Sequence, residues 1–178
     1  NAGQSCIGAK RFIVVEDVYA HFLEHFTQEM NNARFGDPSD PEVTMGPLAR
    51  IDLRDELHKQ VTDSVAKGAE IILGGEIPLL KGAFYPPTIL ENVKPGMPAY
   101  DEELFGPVAS VIKVKDETEA IKVANDTVFG LGAAVFTHDD VKGEIIAEKK
   151  LQAGCCFVND FVKSDPRLPF GGIKESGF

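Results

Sequence analysis

At 178 residues the chain has the length of one domain and can bury about 70 per cent of its unfolded surface. With 43% hydrophobic and 26% charged residues and no long apolar run, it reads as soluble and cytoplasmic, without a signal peptide or a membrane span. A formal net charge of -10 argues against a nucleic-acid partner, which needs clustered Lys and Arg. Three cysteines, two of them adjacent at Cys155 and Cys156, make no disulfide framework and suit a reducing compartment.

The opening stretch places one thiol, Cys6, in a Gly-containing turn, follows it with Lys10 and Arg11, and runs into a β-branched strand over Arg11 to Val15. An accessible, ionised thiol is a nucleophile, and neighbouring cations favour the thiolate. By residue type alone, however, a free cysteine is more often a small buried hydrophobe. Val18, Tyr19, Phe22, Leu23, Phe26 and Met30 then recur at helical spacing and predict a helix from about Asp17 to Asn32, with Asp17 as N-cap. His21 and His25 lie one turn apart on it, but no third ligand stands at useful spacing, so the pair reads as packed or solvated rather than metal-binding.

Gly, Pro and Asp mark Phe35 to Ala49 as a loop, and Leu53, Leu57, Val61 and Val65 predict a second helix from about Ile51 to Lys67, ended by Gly68. Glu70 to Leu73 is a short strand closed by Gly74-Gly75, and Tyr85 to Val93 becomes extended after Pro86-Pro87, as an edge strand would. A Pro- and Gly-rich stretch leads through Asp101-Glu102-Glu103-Leu104-Phe105-Gly106-Pro107 into the strand Val108 to Val114.

A helix from Glu117 to Asn125, with Ala120, Ile121 and Ala124 facing inward, precedes an apolar strand from Gly130 to Phe136. Gly130-Leu131-Gly132 is not a dinucleotide fingerprint, because its glycines follow a helix and precede a strand and the third glycine is missing. Asp139 or Asp140 caps a further helix through about Leu151, with Val141, Ile145 and Ile146 inward. A last strand covers Gly154 to Asn159, with Cys155 and Cys156 pointing to opposite faces. The segment Phe161 to Phe178 reads as irregular backbone over the strand ends, where open α/β sheets bind small ligands. This alternation of helices with short apolar strands predicts an α/β fold: a single three-layer αβα domain, 1–178, around an open, mostly parallel sheet.

Gly3-Gln4-Ser5-Cys6 followed by Arg11, Glu102-Glu103-Leu104-Phe105-Gly106-Pro107, and Pro169-Phe170-Gly171-Gly172-Ile173-Lys174-Glu175-Ser176-Gly177 stand in the order and at about the spacing of three motifs of the NAD(P)-dependent aldehyde dehydrogenase superfamily, which the chain resembles over essentially its whole length. Asp37-Pro38, Gly46-Pro47-Leu48 and Phe84-Tyr85-Pro86-Pro87-Thr88 are weaker echoes between them. With Ser164-Asp165-Pro166-Arg167-Leu168 ahead of the third motif, the chain is most similar to the bacterial succinate-semialdehyde dehydrogenases of that superfamily.

The resemblance implies that Cys6 is the catalytic nucleophile, forming a thioester, and that its backbone N–H is half of an oxyanion hole. It makes Glu103 the acceptor for the nicotinamide ribose hydroxyls and Phe105 the neighbour of the nicotinamide ring of NAD or NADP. Phe170 becomes part of the substrate pocket wall, with Ser164 and Arg167 placed to meet an anionic aldehyde tail, although Arg167 also reads as a solvated loop residue. Gly8 stands where many succinate-semialdehyde enzymes carry a second cysteine, which counts against an internal disulfide switch in this loop. The cofactor-binding domain, the water-activating Glu and the second oxyanion donor would lie outside these residues, so the chain is expected to be a catalytic-domain fragment, inactive alone, of a homo-oligomer acting on a small aldehyde. Two other readings stay open: a semialdehyde dehydrogenase that reduces an acyl phosphate, and a non-catalytic packing or oligomerisation module with an inert Cys6.

Overall fold

The computed structural model describes residues 1–177. Phe178, on which the Ser-Gly-aromatic run of the third motif ends, lies outside the described residues. The chain forms two compact units, the first made of Asn1–Ser5 with Ala9–Val114, the second of Cys6–Gly8 with the chain from Lys115 onward. Among the described residues no helix is long and apolar enough to cross a membrane.

The first unit is built on β1 (Arg11–Val15), α1 (Glu16–Asn31), α2 (Ile51–Ala66), β2 (Glu70–Leu73), β3 (Thr88–Glu91), α3 (Pro98–Asp101) and β4 (Val108–Val114). Its sheet runs in the order β1-β4-β3-β2. β4 pairs in parallel with both β1 and β3, while β2 is antiparallel to β3. The reversal has a local cause. A parallel return needs a long crossover, usually a helix, and residues 74–87 contain none.

β4 is buried at every position but Lys113, as expected of a strand flanked on both sides. β3 is also an inner strand, not the edge strand that Pro86-Pro87 suggested. Both prolines precede the ladder, so neither removes a donor from it, and the first paired residue, Thr88, donates its N–H to Pro107 O at 2.8 Å. Buried Thr88 stabilises the turn before it: its hydroxyl donates to Pro86 O at 3.0 Å and accepts from Gly75 N–H at 2.9 Å.

α1 lays Tyr19, Phe22, Leu23, Phe26 and Met30 over the buried cluster Val14, Ile89 and Val111. The rings of Phe12 and Phe22 flank Phe26 at 4.7 and 5.1 Å. Val18, expected in this stripe, is 52% exposed, because at about 100° per residue it falls at the rim of the arc that Tyr19 to Met30 define. The helix has no side-chain cap. Val15 occupies the N-cap, and Asp17, expected to cap, lies in the first helical turn, where its negative charge suits the helix dipole.

α2 shows a comparable drift. Each four-residue step rotates the stripe by about 40°, so by Val65 the side chain is exposed and Ser64 takes the inner position beside Leu57 and Val61. Ser64 is acceptable there because its hydroxyl is saturated, donating to Gln60 O at 2.7 Å and accepting from Ala99 N–H of α3 at 2.9 Å. Gly68, at φ +105, provides the expected helix stop. Tyr85, also buried, has its hydroxyl 3.1 Å from His58 Nδ1, and burial pushes its pKa well above the usual phenol range.

The second unit holds α4 (Glu117–Asn125), β5 (Gly132–Val135), α5 (Asp140–Lys149) and β6 (Cys155–Val158). Asp116 and Asp139 cap the two helices, accepting the N–H of Glu119 and of Lys142. β5 and β6 form their own two-stranded parallel sheet. Val141 and Ile145, expected inward, are exposed, while Gly143 and Ile146 are buried. Gly143 selects that face, since a Cβ there would stand 2.7 Å from Val158 Cγ1, and the two apolar side chains project from the opposite side. The architecture is mixed α/β with a mostly parallel sheet.

Ser64→Ala removes the acceptor for Ala99 N–H in a buried position, so it should destabilise the protein by about 1–3 kcal/mol. A urea titration should show a lower midpoint with an unchanged slope.

Candidate active site

The first motif is held by contacts that its sequence does not announce. Gly3 sits at φ +72, and a Cβ on it would stand 2.1 Å from Gly106 O, so the backbone before Cys6 lies directly on the loop of the second motif. Only glycine fits such an approach. Gly106 is constrained on its other side too, because a Cβ there would meet Leu57 Cδ2 at 2.4 Å. Gln4 ties the same stretch to a third segment. Its Oε1 accepts the N–H of Ala49 at 2.9 Å, and its Nε2 donates to Asn1 O at 3.2 Å. Together Asn1, Ala2, Gln4, Gly46, Pro47, Ala49, Leu53 and Phe105 line a groove of about 440 Å³ in the first unit.

Lys10 completes this arrangement. Its ammonium donates to Gly3 O at 2.7 Å and to Ser5 O at 3.1 Å, and lies 4.9 Å from the centre of the Phe105 ring. Arg11 stacks its guanidinium over Tyr100 at 4.7 Å. The two cations, read from sequence as electrostatic neighbours of the thiol, thus also bind carbonyl oxygens and aromatic faces of the first unit.

Of the expected nucleotide-binding residues, Glu103 has an exposed side chain and Phe105 is 41% exposed. Between them Leu104 is fully buried and fixes the backbone from which both project. Gln60 of α2 secures the same loop by donating to Glu102 Oε2 at 2.8 Å and to Glu103 O at 3.3 Å. The loop therefore presents a carboxylate, which can accept from a pair of hydroxyls, and a ring face, which can pack against a flat ring.

Cys6 is exposed and belongs to the same compact unit as Ser164, Arg167 and Phe170, more than 150 residues later in the chain. Phe170 is 40% exposed and Ser164 is exposed. Arg167 is exposed, with its fork closed on Asp165: Nε donates to Oδ1 at 2.9 Å and an Nη to Oδ2 at 2.6 Å. That pair holds the Asp165 carboxyl below the usual carboxylate range. Arg167 is thus already arranged to grip a carboxylate in the bidentate manner.

The third motif is pinned as firmly as the first. A Cβ on Gly154 would lie 1.8 Å from Gly171 O, and one on Gly130 2.7 Å from Ile173 Cγ1. Gly130 O accepts from Gly154 N–H and Ile173 N–H, and its own N–H donates to Ser176 Oγ. Lys174, at φ +53, donates to Asn125 O at 2.8 Å and Thr127 O at 2.9 Å. Gly130 is therefore a packing glycine, consistent with rejecting a nucleotide fingerprint there. Gln4, Lys10, Lys174 and Ser176 are the supporting residues that sequence reasoning missed. Their motif membership was visible, but their partners lie 40 or more residues away or are main-chain atoms.

Cys155 and Cys156 are half-buried in β6, and burial pushes both thiols up, which fits packing rather than nucleophilic attack. His21 and His25 face each other with their Nε2 atoms 3.1 Å apart. Among the described residues no group of three or more His, Cys, Asp or Glu gathers as a metal site.

Comparison with known proteins gives the family of the chain. The model of the aldehyde dehydrogenase family matches residues 1–178, and the chain belongs to that family. It is 47% identical to succinate semialdehyde dehydrogenase [NAD(P)+] Sad of Escherichia coli (strain K12), over all of this chain and 38% of that protein. It is 46% identical to succinate-semialdehyde dehydrogenase [NADP(+)] 1 of Mycobacterium ulcerans (strain Agy99), over all of this chain and 39% of that one. Among solved structures, succinic semialdehyde dehydrogenase from Streptococcus pyogenes in complex with NADP+ superposes with a TM-score of 0.95 at 41% identity, covering 99% of this chain and 39% of that one. The chain thus spans well under half the length of these relatives.

Gly3→Ala should cost more than Gly96→Ala. Both glycines have positive φ, but a Cβ at Gly96 meets nothing within 4 Å, so Gly96→Ala should lose only the backbone term, about 1–2 kcal/mol. Thermal denaturation of the two variants measures the excess due to the contact with Gly106.

Proposed function

We propose that this chain carries the nucleophile of an enzyme that oxidises an aldehyde to a carboxylic acid with NAD or NADP, and that the aldehyde is succinate semialdehyde. The observation that supports it most is the interlock of Gly3 with Gly106, which seats the backbone leading to Cys6 on the loop that presents Glu103 and Phe105. The relatives named as succinate-semialdehyde dehydrogenases support the substrate, and their printed cofactors, NAD(P)+ and NADP(+), support a nicotinamide nucleotide.

In this mechanism the Cys6 thiolate adds to the aldehyde carbon. The C=O π pair moves to oxygen, and the oxyanion is met by the Cys6 backbone N–H. Glu103 would hold the two ribose hydroxyls of the nucleotide, and Phe105 would pack beside its nicotinamide ring. A nicotinamide nucleotide, when bound, would supply the hydride acceptor that this oxidation requires, and the oxidised product would be held on Cys6 as a thioester. Water then cleaves the thioester, releasing the acid and restoring the thiolate, so that one difficult oxidation is divided into two easier steps. Phe170 forms an apolar wall for the substrate chain. Arg167 exchanges Asp165 for the substrate carboxylate, with Ser164 beside it. The remaining catalytic parts belong to segments beyond these residues, and the chain by itself is proposed to be inactive, as a catalytic domain without its cofactor-binding domain.

Two substitutions in the full-length protein test this function. Cys6→Ser should lower aldehyde-dependent NAD(P)H formation by at least about 10³-fold, and undiminished turnover would exclude Cys6 as nucleophile. Arg167→Gln should raise KM for succinate semialdehyde about 10- to 100-fold, the scale of one charge-assisted hydrogen bond. It should leave KM for an uncharged aldehyde of similar length within about 2-fold, the scale of a few tenths of a kcal/mol.

A further inference from the structure

We propose that Lys10 is a positioning residue that polarises the Ser5–Cys6 peptide and so strengthens the Cys6 backbone N–H as an oxyanion donor; this rests on the assignment of Cys6 as the nucleophile. Ser5 O, which accepts from Lys10 Nζ at 3.1 Å, belongs to the same peptide group as the Cys6 N–H. No described peptide bond is cis, so the N–H points away from the carbonyl within one plane. A cation on the oxygen draws electron density along the conjugated O–C–N unit and leaves the amide hydrogen more positive. Charge-assisted hydrogen bonds are about twice as strong as neutral ones, and linked bonds reinforce each other by roughly 10–30%.

The geometry around the ammonium keeps it aimed. Its second hydrogen bond, 2.7 Å to Gly3 O, ends on a residue fixed against Gly106. The Phe105 ring presents its face to the ammonium, 4.9 Å from the ring centroid, where a cation is favoured. A flexible lysine is thereby held by two carbonyls and a π face. The electronic consequence falls on a single step. When sulfur adds to a carbonyl carbon and the π pair moves to oxygen, the negative charge forms opposite the polarised N–H. A displacement at a saturated carbon forms no such charge and draws no benefit from Lys10.

That difference supplies the test. In the full-length protein, alkylation of Cys6 by iodoacetamide proceeds without an oxyanion, whereas acylation by p-nitrophenyl acetate passes through one and needs no nucleotide. Both rates are measured across pH, and their plateaus, where the thiol is fully ionised, are compared. Lys10→Met should lower the acylation plateau about 10-fold, less than the roughly 10²–10³-fold loss of a whole oxyanion donor. Its alkylation plateau should stay within about 2-fold of the parent, since no oxyanion forms in that reaction. Lys10→Arg, which keeps a cation for the two carbonyls, should restore most of the acylation rate. Equal losses in both reactions, no loss in either, or failure of Lys10→Arg to recover acylation would overturn the role of Lys10. Acylation that persists in Cys6→Ser would overturn the nucleophile assignment itself, and the role of Lys10 with it.

Discussion

Where a main chain crosses another on the side its own Cβ would occupy, only glycine can stand at the crossing, and the first unit is arranged around one such crossing. Gly3 lies on Gly106, and Gly106 in turn lies on Leu57 of α2. From α2 through the Glu103–Pro107 loop to the turn before Cys6 there is no room for a single added methyl group. Leu57 and Leu104 are both fully buried, so this stack begins in the hydrophobic core and ends at Gly3, three residues before the exposed Cys6. The position of the loop before Cys6 is thus set by packing rather than by its own conformational preference, as the proposed role of Cys6 requires.

The third motif repeats the device in the second unit. Gly154 meets Gly171, Gly130 meets Ile173, and Lys174 reaches two carbonyls of the turn after α4. In each unit a glycine contact fixes where a loop runs, and a lysine bonded to two main-chain oxygens holds it there. Using lysine this way satisfies carbonyls that a loop would otherwise leave to water. It also places a positive charge against the backbone, which in the case of Lys10 is the carbonyl of Ser5, the residue before Cys6.

Much of the fold could be read from residue spacing. Apart from the short α3 and the N-cap of α1, the helices and strands lie where periodicity and the Gly and Asp signals put them, and the mixed α/β class followed from their order. The failures share one cause: they concern which partner an element meets. Val18, Val65, Val141 and Ile145 are apolar at helical spacing, yet exposure depends on the face that the neighbouring strand selects, and for α5 the missing side chain of Gly143 made that choice. β3 was misplaced at the edge because pairing order in a sheet is decided by segments far apart in sequence. The site was legible as three motifs and their residue types. What holds those motifs was not, because a glycine, a glutamine or a lysine that bonds to main-chain atoms shows no signature of its own. Asp165 is a further instance. Only its geometry shows that Arg167 already grips a carboxylate.

The central claim is that the sulfur of Cys6, alone among the three thiols, is presented for attack on a carbonyl carbon. It is tested most directly by treating the full-length protein with p-nitrophenyl acetate, quenching in acid and mapping the acetylated peptides by mass spectrometry. The account predicts a single acetyl group on the peptide that contains Cys6, formed within the burst of p-nitrophenol release. An acetyl group on Cys155 or Cys156, or release of p-nitrophenol with Cys6 unmodified throughout, would contradict it.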